Sequence, residues 1–229
     1  MLACFFSLLV LETIQISIFS VLELLVVPFI TLFYFLFRKK KSLYFSLFLG
    51  CYSAADILHI IDGNNLNEIF YFACNILYVL SFFFLILEAF KTLDIKVLYQ
   101  KFLIQTIVLV ALVFYLFTVL CDIIDPILFD TKVLSLVRVV EHSYNLLLLI
   151  LLAVSFLNFL DNDTKKSLYL FIGCLAISFS EFLLIGYYYL TDLEMLNYIA
   201  IVLNIFAFVM FYLQSNFAIE VKNKSNAFV

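Results

Sequence analysis

Long apolar runs separated by short polar breaks dominate the chain. The breaks fall at Arg38–Ser42, Asp62–Glu68, Lys91–Lys101, Asp122–Lys132, Asp161–Ser167 and Thr191–Leu196. Between them lie seven intervals, roughly 15–37, 43–61, 68–90, 100–121, 136–160, 167–189 and 196–216. Each approaches the ~20 mostly apolar residues that an α-helix needs to cross hydrocarbon. The ~10-residue alternating segments of a membrane barrel do not occur. The pattern predicts an all-α, polytopic membrane bundle of seven transmembrane helices. The opening apolar run, residues 1–37, exceeds one perpendicular span. Residues 1–14 are therefore expected to form an interfacial helix or half-span, with room for an eighth pass. Residues 15–217 make the transmembrane domain and 218–229 a cytoplasmic tail.

Charge sets the expected orientation. Arg38, Lys39, Lys40 and Lys41 follow span one, and Lys91, Lys96 and Lys101 follow span three. Lys165 and Lys166 follow span five, and Lys222 and Lys224 the last. Eleven of the thirteen basic residues thus share one side, with Lys132 and Arg138 on the other. Basic loops stay cytoplasmic, which puts the N-terminus outside and the C-terminus inside, as in a multi-pass protein of a bacterial inner membrane.

Composition agrees. Apolar residues make up 66% of the chain and charged residues 13%, against about half and a quarter in ordinary globular domains. The net charge of −4, with no basic stripe, excludes a nucleic-acid-binding role. The five cysteines are scattered without metal-ligand spacing and read as small packing hydrophobes. The 29 Phe and 14 Tyr read as lipid-facing bulk.

Carboxylates inside the spans are the exception to this pattern. Glu12, Glu23, Asp56, Glu88, Glu141 and Glu181 all fall within apolar runs, where a charge is costly and usually functional. At a rise of about 1.5 Å per residue, Asp56 lies roughly 8 Å and Glu181 roughly 12 Å below the outer end of its span. Glu23, Glu141, Asn75, Asn204, His59 and His142 fall in the same outer half. Only Glu88 lies near the inner end, as a snorkelling residue beside Lys91. Residues three and four apart share a helix face, which aligns Tyr52, Ser53, Asp56 and His59. The same spacing aligns Arg138, Glu141, His142 and Asn145, and also Cys174, Ser178, Glu181 and Tyr188. One outward-opening polar cavity is the economical reading. Other readings stay open: Arg138 and Glu141 as an ion pair at a helix start, Asn75 and Asn204 as interhelical hydrogen-bonding glue.

The "DILH" stretch has the carboxylate-x-x-His spacing of di-metal bundles. It occurs once, with too few further ligands, and no metal or cofactor is expected. The last span has no lysine for a retinal Schiff base, and no arginine ladder marks a voltage sensor. A transport path would show polar groups in both halves, whereas Ser155 and Asn158 form only a sparse inner set.

Spans two and six carry "GCYSAAD" (Gly50–Asp56) and "GCLAISFSE" (Gly173–Glu181), and spans three and seven carry Asn75 in "CNIL" and Asn204 in "LNIF". The match hints at a parallel three-plus-one-plus-three duplication with span four as linker. At these residues the chain resembles the YhhN family of membrane proteins, which includes lysoplasmalogenases. Ser53 to Asp56 stands for its Ser-x-x-Gly-Asp motif, and Gly173 with Ser180–Glu181 for its later Gly…Ser-Asp motif. Ala55 replaces the family's Gly, Glu181 its second Asp, and Val27–Pro28 its Lys-Pro. The resemblance implies hydrolysis of the vinyl ether of a lysophospholipid. One of Asp56 and Glu181, kept protonated, would protonate the alkenyl carbon. The other would activate water against the oxocarbenium, as paired carboxylates do in glycoside hydrolysis. Arg138 would hold the phosphate, and His59 would orient Asp56. His59, Asn75, Arg138, Glu141, His142, Asn145 and Asn204 are the candidate substrate-binding residues. The alternative is a receptor, a transporter, or a subunit that docks other membrane proteins or a second copy of itself.

Overall fold

A computed structural model describes residues 18–38, 41–62, 68–124, 132–191 and 193–217, with side chains described from residue 24 onward. The expectations for residues 1–14, Glu12, the Glu23 side chain and the tail at 218–229 lie outside the described residues. Eight α-helices are described: α1 (Ile18–Phe37), α2 (Leu43–Asp62), α3 (Glu68–Phe90), α4 (Ile95–Lys101), α5 (Leu103–Ile124), α6 (Lys132–Asn162), α7 (Lys165–Ile185) and α8 (Glu194–Ser215). A wider π turn, Gly186–Leu190, extends α7. Six helices among the described residues are long and apolar enough to span, and α1 adds a shorter apolar stretch, Leu24–Phe37. The protein is an integral, multi-pass helical bundle.

Two boundaries differ from the sequence reading for local reasons. Asp94 caps an unforeseen short helix, α4, by accepting from the Lys96 backbone N–H, and the Asp94 N–H in turn reaches Asp161 Oδ2 at 3.1 Å. The polar break at 91–101 is thereby folded rather than a plain loop. α6 runs beyond the expected 136–160 at both ends, and its exit is sharp. Asp163 adopts φ 46°, the left-handed conformation that commonly ends a helix. Thr164 then caps α7 in a reciprocal box with Ser167, satisfying amides that a helix start leaves unpaired.

The helices α1, α2, α3, α6, α7 and α8 pack in that order as a closed ring, α8 returning to α1. α5 lies outside, against α6 and α4. Its span is only 11% buried, so most of its surface is not covered by the described helices. Within the ring, α2–α3 and α7–α8 make the most extensive contacts.

The aromatic excess is not confined to lipid, contrary to expectation. Tyr34, Phe45, Phe48, Phe82, Phe208 and Phe211 are all at most 2% exposed. Phe48 stacks on Phe208 at 5.9 Å and meets Phe211 edge-on at 5.4 Å. Gly173 makes room for this layer. A Cβ there would lie 2.6 Å from the Phe211 ring and 3.2 Å from the Ala207 carbonyl oxygen. The aromatic layer divides the ring interior into an acidic-end half, near Asp62 and Glu194, and a basic-end half, near Arg38, Lys91 and Lys166.

Candidate functional site

In the acidic-end half, α2 buries Asp56 to 3% exposure. Tyr78 of α3 donates its hydroxyl to Asp56 Oδ1 at 2.5 Å. Tyr52, one turn from Asp56 on the same face, packs edge-on against Tyr78 at 4.7 Å and Phe208 at 4.5 Å. Across the ring, Glu181 of α7 is 6% exposed and accepts the Tyr144 hydroxyl at 2.7 Å. Tyr144 projects from α6, its ring edge-on to Phe82 at 5.2 Å. It also lies within electrostatic range of both Asp56 and Tyr52. The two carboxylates, from helices on opposite halves of the ring, thus each accept a phenol, and Tyr144 lies within electrostatic range of both.

Chain direction explains how the tyrosines reach. Side chains lean toward their helix N-terminus. α3 and α6 begin at the acidic end, so Tyr78 and Tyr144 lean up toward the carboxylates. α7 begins at the basic end, so Glu181 leans down to meet Tyr144. These tyrosines escaped the sequence reading. Depth combined with helix direction is the signal that finds them.

A second group forms a rim nearer the acidic end. Glu141, one turn from Tyr144 on α6, is 8% exposed and accepts a long hydrogen bond from the Tyr71 hydroxyl, 3.5 Å. Asn75, 5% exposed, donates Nδ2 to the Tyr71 carbonyl at 2.8 Å within its own helix. Tyr189 of the π turn lies within electrostatic range of Glu141, as does exposed Arg138 one turn farther out.

The remaining candidates surround this centre. His142, adjacent to Glu141, turns to α5, where Nδ1 lies 3.7 Å from Cys121 Sγ and the ring meets Phe117 edge-on. His59 is half-buried one turn above Asp56. Asn145 is buried beside Tyr144. Asn204 of α8 keeps a buried carbonyl oxygen without a hydrogen-bond partner, as does the Ser178 hydroxyl of α7. Ser53, aligned with Asp56 in sequence, instead pairs with Thr31 of α1 at 2.5 Å. Among the described residues, no three His, Cys, Asp or Glu side chains gather as a metal-ligand group.

No protein-family model, curated protein or solved structure matches this chain.

The basic-end half is more polar than the sequence reading allowed. Glu88 does not snorkel; it is drawn inside at 5% exposure. Ser42 donates to Glu88 Oε2, Lys91 Nζ lies 3.0 Å from that oxygen and Lys166 Nζ 3.8 Å from Oε1. Asn158 donates to the Ala89 carbonyl at 2.5 Å and the Thr92 hydroxyl at 2.8 Å, and Asn162 closes onto the Thr92 carbonyl at 3.0 Å. The inner polar set is a network spanning α3, α6 and α7, not two scattered residues.

Proposed function

We propose that the protein is a seven-span membrane hydrolase of lipid vinyl ethers, in line with its resemblance to YhhN proteins, with Asp56 and Glu181 as its acid–base pair. Its topology in this reading puts the N-terminus and the acidic end outside and the C-terminus in the cytoplasm of a bacterial cell. The observation that supports it is that each carboxylate is buried in the same half of the ring and accepts a tyrosine hydroxyl, Asp56 from Tyr78 and Glu181 from Tyr144. This chemistry needs one carboxylate as proton donor and one as proton acceptor, and the ring interior supplies two. One protonates the alkenyl carbon. The other takes a proton from water as that water attacks the oxocarbenium carbon. The hemiacetal then collapses to a fatty aldehyde and the glycerophospho alcohol, with one water consumed. Tyr78 and Tyr144 hold the carboxylates in place, and Arg138 at the rim stands where a head-group phosphate would arrive. The test is aldehyde release from lysoplasmalogen by the purified protein. No release by the unmodified chain overturns the reading.

One observation favours a second reading, a ligand transporter. Buried polar groups occupy both halves of the ring interior, on either side of the aromatic layer. Thiol labelling of Ser53→Cys and Ser155→Cys from each side of sealed vesicles separates the two readings. A transporter exposes each position to one side in turn, and a hydrolase that opens only outward never exposes Ser155→Cys to outside reagent.

A further inference from the structure

The basic ends of the ring helices enclose a cavity of about 30 Å³ whose lining includes Glu88, Thr92, Asn158, Asn162, Lys166 and Gln214. One water needs about 10–15 Å³ on this measure, so the cavity holds about two. Around Glu88, its one lining carboxylate, cations outnumber acids: Lys91 and Lys166 lie beside it and Arg38 lies within electrostatic range of Lys166, while half-buried Asp94 and Asp161 lie off the lining. The N-terminus of α7, a 21-residue helix, opens here as well and adds the positive end of its dipole. An independent observation concerns Gln214 of α8. It is 1% exposed and lines the cavity, yet its Oε1 has no hydrogen-bond partner. Arg38 Nε is likewise buried without a partner. Buried polar atoms are nearly always satisfied, so these two mark interactions the chain does not supply itself.

The unmet groups describe a complementary molecule. Lys166 and Arg38 call for negative charge, and Gln214 Oε1 calls for a hydrogen-bond donor. We propose that this cavity binds a phosphate ester carrying a hydroxyl or ammonium donor, its phosphate at the mouth beside Lys166 and its donor on Gln214. Lys166, at 3.8 Å from Glu88, is the more loosely held cation and the one free to turn to the phosphate. Only the small donor end enters, which suits the cavity's size. Ethanolamine and glycerol phospholipids have this chemistry, and so do their free phosphate esters. Choline has no N–H or O–H and does not meet Gln214. The site is independent of the chemistry proposed for Asp56 and Glu181.

Native mass spectrometry of the delipidated, full-length protein tests the assignment. Phosphatidylethanolamine and phosphatidylglycerol should be retained at least fivefold over phosphatidylcholine. Gln214→Leu should abolish that preference, and Lys166→Gln should lower retention of all three about tenfold. Displacement of the lipid by free phosphoethanolamine assigns the site to a soluble ester; its failure to displace assigns the site to the membrane. Equal retention of ethanolamine and choline lipids by the unmodified protein overturns the proposal, and that comparison needs no variant to fold. So does a preference that survives both substitutions.

Discussion

Glu181 and Glu88 are glutamates buried to nearly the same degree, 6% and 5% exposed, on helices of one ring, yet they are held in opposite ways. Glu181 accepts from a phenol, Tyr144, and Asp56 across the ring likewise accepts from Tyr78. Glu88 accepts from Ser42 and lies between two ammonium groups. A phenol stabilises a carboxylate through one hydrogen bond and carries no charge. Flanking lysines give Glu88 charged partners, and removing one side of such a pair leaves an uncompensated charge. Burial alone thus does not distinguish the two glutamates; the chemistry of the partner does.

The sharpest test compares rate with stability. Asp56→Asn and Glu181→Gln keep size and hydrogen-bonding ability, so each should preserve the fold while lowering aldehyde release by about 10²- to 10⁴-fold, the usual contribution of a positioned acid or base. Wild-type turnover in both variants would remove them from catalysis. Next in size is Glu88→Leu. It strands Lys91 and Lys166 beside an apolar group, a change that costs about 3–5 kcal/mol when the pair is fully buried. Lys91 is 36% exposed, so about 2–3 kcal/mol is expected, against under about 1 kcal/mol for Glu181→Gln. Reversible unfolding in mixed micelles measures both. Equal losses would erase the distinction between the two halves.

Where the sequence was informative, the physics was local. Spans at 43–61 and 68–90 became α2 (Leu43–Asp62) and α3 (Glu68–Phe90) because polar breaks end helices where hydrocarbon ends. The depth of Asp56 and Glu181 followed from helical rise alone. What stayed hidden was partner choice. Tyr78 and Tyr144 are two of 14 tyrosines in a chain with 29 phenylalanines, and composition cannot tell a phenol that caps a carboxylate from one that faces lipid. The inner network stayed hidden for a different reason. Ser42, Glu88, Asn158, Lys166 and Gln214 come from the ends of separate helices, and helix ends read as boundaries until the ring brings them together. His142 illustrates the opposite error. It shares a sequence neighbourhood with Glu141, but adjacent residues point about 100° apart on a helix, and the histidine faces Cys121 instead.

A smaller effect bears on the phenols themselves. Tyr144→Phe removes the donor from Glu181 and leaves the ring packed against Phe82. Side-chain hydrogen bonds inside membranes average about 0.6 kcal/mol and reach about 1.7. A loss near the upper value is expected here, because the bond is short at 2.7 Å and the acceptor is a buried carboxylate. Aldehyde release should fall about tenfold, less than for Glu181→Gln, since the acid remains but is less firmly placed. A fall as large as that of Glu181→Gln would make Tyr144 itself a proton donor rather than a positioning residue.

The smallest effect belongs to the rim. Tyr71 and Glu141 are 3.5 Å apart, the outer limit of a useful hydrogen bond, where attraction has already weakened. Tyr71→Phe should therefore change stability by under about 0.5 kcal/mol, well below Tyr144→Phe, and leave the rate within about twofold. The Asn75 bond to the Tyr71 backbone carbonyl survives the substitution, so local helix geometry is kept. The contrast between the two tyrosines tests whether depth in the ring or mere contact with a carboxylate decides a residue's weight. A Tyr71→Phe loss matching that of Tyr144→Phe would extend the functional centre outward to the rim and make Glu141 a third working carboxylate beside Asp56 and Glu181.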